Sequence, residues 1–110
     1  MTKLILSVFL VMMFTSSLFA SDLDKHFYKP NEGYVSDNKT AIKIAEVVLS
    51  SIYGQEKIDQ EKPLNAVLKD GTWEITGTLN CPGGEHCLGG VAIIEISKDD
   101  GRVLRVSHGQ

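Results

Sequence analysis

The chain has 110 residues, of which 43% are hydrophobic, and this suits one small domain with a single core. Its 14 acidic and 11 basic residues leave a formal net charge of −3 at pH 7. Its basic residues form no stripe, so the sequence lacks the electrostatic footprint of a nucleic-acid-binding protein.

The first twenty residues have the three parts of a secretory signal peptide. Lys3 precedes an apolar run over residues 4–14, and Thr15, Ser16 and Ser17 follow before Leu18, Phe19 and Ala20. The run is shorter than the roughly 20 apolar residues that a membrane-spanning helix needs. We therefore predict a signal peptide over residues 1–20, a periplasmic mature chain and no stable membrane anchoring after cleavage. An uncleaved membrane anchor is the alternative.

Residues 21–36 show no sustained period, so we expect an extended lead-in. Its aromatic residues Phe27, Tyr28 and Tyr34 are the candidates for contacts with the rest of the protein. The α+β domain is expected over residues 37–110.

The clearest predicted element is a helix that ends at Gly54. Ser36, Asp37 or Asn38 can cap its start, and glycine is a favoured residue just past a helix end. We expect about 13 to 15 residues, near the average helix length. The spacing of apolar residues predicts one buried face. That face contains Ala41, Ile44, Ala45, Val48 and Ile52, and it is widened by Ile42, Leu49 and Tyr53. A short second helical turn with Ile58 as its core contact is expected before Pro63.

The period of the apolar residues changes to two after Pro63, which predicts strands. Asp70-Gly71 is a two-residue hairpin signal between the first two strands. The residues expected to share the inner face are Leu64, Ala66 and Leu68, then Trp73, Ile75, Gly77 and Leu79, then Ala92, Ile94 and Ile96. The predicted fold is therefore α+β, with one long helix and a short one packed on a four-stranded antiparallel meander.

The stretch "NCPGGEHCLGG", residues 80–90, connects the second and third predicted strands. Two cysteines in an exported domain predict one disulfide, Cys81–Cys87. A zinc site of Cys81, Glu85, His86 and Cys87 fits poorly, because structural zinc sites usually pair their ligands at shorter spacings and use two such pairs. The C-x-x-C spacing of a thiol-redox centre is absent as well. We therefore expect a turn that is closed by the disulfide and holds no metal ion.

The remaining polar residues match no catalytic motif. His26 and His108 have no recognisable partner, and we expect them to be solvated. Glu56, Asp59 and Glu61 belong to a lysine-containing short helix, so surface ion pairing is expected for them. We expect neither catalysis nor a cofactor. With these excluded, a binding role becomes the favoured function.

Three stretches resemble the NTF2-fold immunity protein family of bacterial polymorphic toxin systems, and together they cover most of residues 34–110. They are "YVSDNKTAIKIAEVVLSSIYG", "KPLNAVLKDGTWEITGTL" and "GGVAIIEISKDDGRVLRVSHGQ". The most specific parts are A-I-K-I-A-E with I-Y-G, D-G-x-W-x-I-x-G-T-L, L-G-G-V-A-I-I-E-I, and D-G-x-V-L with a late H-G. The resemblance implies an NTF2/cystatin-like fold and a protein that binds a cognate toxin without catalysis. The segment "CPGGEHC" departs from the family pattern, which has a plain loop there.

The signal peptide and the resemblance together predict an exported immunity protein that neutralises a toxin acting in the periplasm. Gly83, Gly84, Glu85 and His86 are the candidate toxin contacts, because a loop closed by a disulfide loses less entropy on binding than a free one. The competing interpretation is that the disulfide only stabilises a hairpin. The alternative functions are a PepSY-like inhibitory module of a secreted hydrolase and a small ligand-binding NTF2-like protein, which would need a large apolar pocket.

Overall fold

A computed structural model describes residues 27–84, 87 and 89–109 of the chain. The predicted signal peptide over residues 1–20 lies outside the described residues, and so do Glu85 and His86. Within the described part, no helix combines the length and the apolar character needed to cross a membrane.

The long helix α1 comprises Asn38–Tyr53, and its 16 residues make it slightly longer than predicted. Asp37 is its N-cap, since the carboxylate Oδ1 accepts the backbone N–H of Thr40 at 2.8 Å. The same hydrogen bond lowers the pKa of Asp37. At the other end the N–H of Gly54 donates to the carbonyl of Ser50 at 2.9 Å. Both predicted helix ends are therefore confirmed.

The buried face of α1 is centred on Ala41, Ala45 and Leu49, each 0% exposed. Ile44 and Val48 pack against this core as partly buried side chains. Ile52 is 53% exposed, so its predicted burial is wrong. It has the helical spacing of the buried face but lies in the last turn. Periodicity predicts which face of a helix turns inward, and it does not predict how far the surface beneath that face extends.

The short helix α2, Gln55–Gln60, confirms the predicted second helical turn, and Ile58 is 0% exposed. An ion-pair cluster joins the two helices on the surface. The Lys62 Nζ lies 2.6 Å from Glu46 Oε1 and 2.9 Å from Asp59 Oδ1. Hydrogen bonding between Lys62 and Glu46 raises the pKa of the lysine and lowers that of the carboxyl.

Four strands form one antiparallel sheet in the order β1-β2-β3-β4, which confirms the predicted meander. Helix α1 packs across β1, β2 and β3, and this gives the expected α+β layers. The strands are β1 Asn65–Lys69, β2 Thr72–Thr76, β3 Ala92–Ser97 and β4 Val103–His108. The β1–β2 turn has φ of 50° at Asp70 and 75° at Gly71. Positive φ at both positions is what a type I′ hairpin requires.

The inner face of the sheet is a row of paired apolar residues. Ile75 lies opposite Ala66 and Ile94, and Ile94 lies opposite Val106. Ile75 and Ile94 are 0% exposed, so the predicted alternation in β2 and β3 is confirmed. Leu68 and Leu79 were also expected on this face, but Leu68 is 44% exposed, and β2 ends at Thr76 and leaves Leu79 48% exposed.

Among the described residues of the lead-in, Val35 supplies the buried side chain, and the backbone N–H of Tyr34 donates to the carbonyl of Asp99 at 2.9 Å. Val35 is 1% exposed, and its N–H donates to the carbonyl of Lys98 at 3.0 Å. Its own carbonyl accepts the indole N–H of Trp73 at 2.8 Å. The aromatic side chains remain mostly in solvent, with exposed fractions of 76% for Phe27 and 81% for Tyr28.

Candidate interaction site

The loop between β2 and β3 is closed by the predicted disulfide. Cys81 is bonded to Cys87, and their Cα atoms are 5.6 Å apart. Within the ring, Pro82–Gly84 forms a short 3-10 turn. The structure thus confirms the cysteine pairing and places Gly83 and Gly84 at this turn. The roles assigned to Glu85 and His86 stay predictions, because both lie outside the described residues.

Asn80 attaches the first side of the loop to the end of α2. Its Nδ2 donates to the carbonyl of Gln60 at 3.0 Å and to that of Lys62 at 2.8 Å. A surface depression of about 480 Å³ lies at this junction. It is lined by Gln60, Asn80, Cys81 and Pro82. The loop therefore starts from a fixed position beside α2.

Glu61, just after α2, is buried and bonds to both sides of the loop. It is 4% exposed, and its Oε1 accepts the backbone N–H of Ala92 at 2.6 Å. Its carbonyl accepts the N–H of Thr78 at 2.7 Å. The expectation of a surface role for Glu61 is wrong. A charged residue in a polar helical segment has the local pattern of a surface residue, and only the strands packed against it bury it.

His108, at the end of β4, is the side-chain partner of Glu61. Its Nε2 lies 2.9 Å from Glu61 Oε2, and its Nδ1 lies 2.6 Å from the carbonyl of Gly109. Its ring centroid is 5.0 Å from that of Tyr53 on α1. The side chain is only 17% exposed, so the expectation of a solvated histidine is wrong.

At two places beside this pair, the backbone of a glycine lies in close contact with another part of the chain. A Cβ on Gly77 would lie 2.7 Å from Glu61 Oε1, so the carboxylate occupies the space that a side chain at position 77 would need. The backbones of Gly90 and Gly109 also approach so closely that no Cβ fits on Gly90. The glycines of G-T-L, G-G-V-A and H-G therefore meet at one end of the sheet, around Glu61 and His108.

The polar atoms of this pair are directed at groups of the protein itself. Both carboxylate oxygens of Glu61 and both ring nitrogens of His108 are engaged within the protein. A general base needs a nitrogen or oxygen directed at its substrate. Among the described residues, no group of three His, Cys, Asp or Glu side chains is placed to hold a metal ion.

The sheet face opposite α1 is exposed and carries charges. Val67 is 63% exposed, and Arg105 on β4 pairs with Glu95 on β3 at 3.2 Å. A shallow depression of about 360 Å³ on this face is lined by Lys69, Asp70, Thr72, Glu74, Glu95 and Leu104. Small-molecule sites are concave and mostly apolar, so this open and largely charged surface gives the ligand-binding alternative no support.

Comparison with known proteins identifies a family and a curated relative. The model of a family described as NTF2 fold immunity protein matches residues 40–110. The uncharacterized protein YhhH of Escherichia coli (strain K12) is 36% identical over 76 residues. The alignment covers 69% of this chain and 58% of YhhH, so the chain spans less than two thirds of that relative. No solved structure matches significantly.

Proposed function

This chain belongs to the family of NTF2 fold immunity proteins, and we propose that it binds and neutralises a cognate toxin that acts in the periplasm. The observation that carries the proposal is the family match, which extends from the first turn of α1 to the end of the chain. Immunity proteins act by binding, so the family places this chain among binding proteins rather than enzymes.

Two features support a periplasmic site of action. Residues 1–20 have the charged, apolar and small-residue parts of a signal peptide. The Cys81–Cys87 disulfide suits an oxidising compartment such as the periplasm. Since a neutralising protein must be present where its target acts, the proposed toxin acts in the periplasm, for instance on peptidoglycan or membrane lipids.

The disulfide loop is the proposed toxin contact. Its two sides are joined by the disulfide, and Asn80 attaches it to the end of α2. A loop that is ordered before binding loses less conformational entropy in the complex, which favours tight association. Gly83, Gly84, Glu85 and His86 would then contact the toxin directly.

The test of function first screens the products of neighbouring genes for a toxin domain, by pull-down from periplasm with the mature chain. We expect the purified mature chain to bind that domain in calorimetry. We also expect the full chain to protect cells in which the toxin is exported to the periplasm. A version without residues 1–20 serves as the matched control and should give no protection. Absence of binding would overturn the immunity proposal, and protection by the control would overturn the periplasmic one.

The test of the loop uses the double variant Glu85→Ala/His86→Ala. We expect an unchanged melting temperature and a loss of about 2 kcal/mol or more in toxin affinity, which is the range of an interface hot spot. Glu56→Ala, an exposed substitution on α2, is the matched control and should bind normally. If the double variant binds as tightly as the control, the loop has only a structural role.

A further inference from the structure

We propose that β1 is a dimerisation edge, at which two copies of this chain pair their β1 strands antiparallel about a two-fold axis at Val67. The paired sheets then form one continuous antiparallel sheet. The inference does not rest on the proposed function, because it concerns contacts between identical chains. We use the name β1 edge for the side of Asn65–Lys69 that faces away from β2.

The hydrogen bonds between β2 and β3 determine which backbone groups of β2 face β1. The N–H of Gly77 donates to the carbonyl of Ala92 at 2.9 Å, and the N–H of Lys98 donates to the carbonyl of Gly71 at 2.9 Å. In an antiparallel ladder the backbone groups of successive residues point to opposite sides. The odd-numbered residues of β2 are therefore bonded to β3, and its even-numbered residues are bonded to β1.

This alternation leaves two residues of β1 with outward-facing backbone groups. The even-numbered residues of β2 lie opposite Asn65, Val67 and Lys69, so these three are bonded within the sheet. The N–H and C=O groups of Ala66 and Leu68 point away from β2. No other described residue exchanges a backbone hydrogen bond with them. An unpaired row of this kind is a template for another strand.

The β1 edge lacks the features that usually protect the outer strands of a sheet. Proteins block such edges with prolines, charged residues and β-bulges. The centre of β1, residues 66–68, is Ala-Val-Leu, and its pairing with β2 is regular. At the other end of the sheet, β4 carries Arg105 in its middle and has a register shift between Glu95 and Ile96. Pairing is therefore open at β1 and blocked at β4.

The side chains of β1 are apolar and exposed on both faces of the sheet. Val67 points to the face opposite α1 and is 63% exposed. Leu68 lies opposite Trp73 and so points to the face that α1 covers, yet it is 44% exposed. Helix α1 thus leaves the β1 edge uncovered. A strand added beside β1 would bury both side chains without disturbing the core.

The β1 edge is complementary to itself, which identifies a second copy of the chain as its partner. With the two-fold axis at Val67, Ala66 of each copy lies opposite Leu68 of the other. These residues carry the free backbone groups, so each such pair exchanges both N–H···O bonds. Each Leu68 side chain lies beside a small Ala66, and the two Val67 side chains contact each other. Lys69 lies opposite the uncharged Asn65, so no like charges are paired.

Two-fold pairing closes the assembly at two copies. The axis uses the β1 edge of both chains, and the bulge and the charge of β4 oppose further addition at the outer ends. Since β1 has only 5 residues, the interface is small and the dimer weak. We expect a dissociation constant on the order of 10 to 100 µM.

Sedimentation velocity of the mature chain tests the assembly state without any toxin. Between about 1 µM and about 1 mM, a range that brackets the expected dissociation constant, we expect conversion of monomer to dimer. A monomer at every concentration would overturn the proposal. Species larger than a dimer would overturn it as well, because two-fold pairing leaves no β1 edge free.

Val67→Lys tests whether the β1 edge is the surface used. It places two ammonium groups opposite each other at the axis, and like charges directly opposite destabilise paired strands. We expect this variant to remain monomeric over the same range and to keep the wild-type circular dichroism spectrum. Leu104→Lys is the matched control, since it adds the same charge at an apolar position of β4 that is 45% exposed. It should dimerise like the wild type, and dimerisation of Val67→Lys would overturn the proposal.

Val67→Cys tests the register and does not depend on the lysine variant. In the proposed pairing the two residues at position 67 form a non-hydrogen-bonded pair with Cα atoms about 4.5 Å apart, a distance that a disulfide can span. The native cysteines are already bonded to each other. We therefore expect mild oxidation to give a covalent dimer, and peptide mass mapping to show position 67 linked to position 67.

Lys69→Cys is the matched control for this cross-link. In the proposed register, position 69 lies two residues from the axis in each copy, so its two Cα atoms are roughly 14 Å apart. That distance is too long for a disulfide, and we expect no covalent dimer. Equal cross-linking of both variants, or none in Val67→Cys, would refute the pairing at Val67.

Discussion

Gly77 faces the carboxylate of Glu61 so closely that a Cβ on Gly77 would lie 2.7 Å from Oε1 and 3.0 Å from the Glu61 Cβ. The same carboxylate accepts from Ala92 and contacts His108. It therefore has little freedom to move aside. The glycine of G-T-L is required here by space rather than by backbone conformation.

Gly77→Ala should accordingly lower the free energy of unfolding by about 1 to 3 kcal/mol, the usual cost of inserting a methyl group into a packed region. The measurement is urea denaturation followed by circular dichroism. A double-mutant cycle with Glu61→Ala is the control, because removing the carboxylate should reduce the cost of the added methyl group. An equal cost in both backgrounds would show that Glu61 is not the obstacle.

Trp73 should be a major source of core stability. It is 7% exposed and its Nε1 donates to the carbonyl of Val35 at 2.8 Å. We expect Trp73→Ala to cost about 3 to 5 kcal/mol through cavity formation. Trp73→Phe keeps part of the ring but leaves the Val35 carbonyl without its donor, so a smaller loss of about 1 to 3 kcal/mol is expected. Chemical denaturation gives both values.

Trp73 is the single tryptophan of the chain, so its fluorescence also reports its position directly. In the folded wild type, acrylamide should quench this fluorescence weakly. Strong quenching would contradict the burial of the indole and the strand register of β2.

Replacing Cys81 and Cys87 with serine should lower the free energy of unfolding by about 2 kcal/mol, the loop-closure value for so short a ring. The fold should remain, because Asn80 and Glu61 still attach the loop to α2 and β3. Thermal denaturation and an amide spectrum test both expectations. Non-reducing mass spectrometry of the wild type is the companion measurement, and two free thiols there would rule out the disulfide.

The helix cap at Asp37 should make stability depend on pH in the acid range. The backbone N–H of Thr40 lowers the pKa of Asp37 below its ordinary value of 3.8. A carboxyl with a lowered pKa contributes stability above the unfolded value, and that contribution is lost as the pH falls through the folded value. Asp37→Asn keeps a capping oxygen but does not titrate.

The stability advantage of wild type over Asp37→Asn should therefore be full at neutral pH and shrink as the pH falls below about 4. Urea midpoints of both proteins at several pH values give this difference. A constant difference across the whole range would mean that the carboxylate charge contributes nothing to the cap.

Local patterns in the sequence determined much of the fold. The caps of α1, the Asp70-Gly71 hairpin and the inward alternation of β2 and β3 could be predicted because each depends on residues within a few positions of one another. The cysteine pairing belongs to the same class, since the two residues are only six positions apart. The short-range spacing of residues is enough to select a helix, a turn or a strand face.

Only the tertiary structure determined how far each helix and strand is covered by its neighbours and which polar side chains are buried between them. Ile52 and Leu79 continue the periodic patterns but extend past the packed surfaces, so both are exposed. Glu61 and His108 have ordinary local surroundings, and their contact joins residues 47 positions apart. The bond from Ala92 to Glu61 spans 31 positions. A buried polar pair is stabilised by hydrogen-bonding groups that the folded chain brings from other strands, and these groups cannot be identified from the sequence next to either residue.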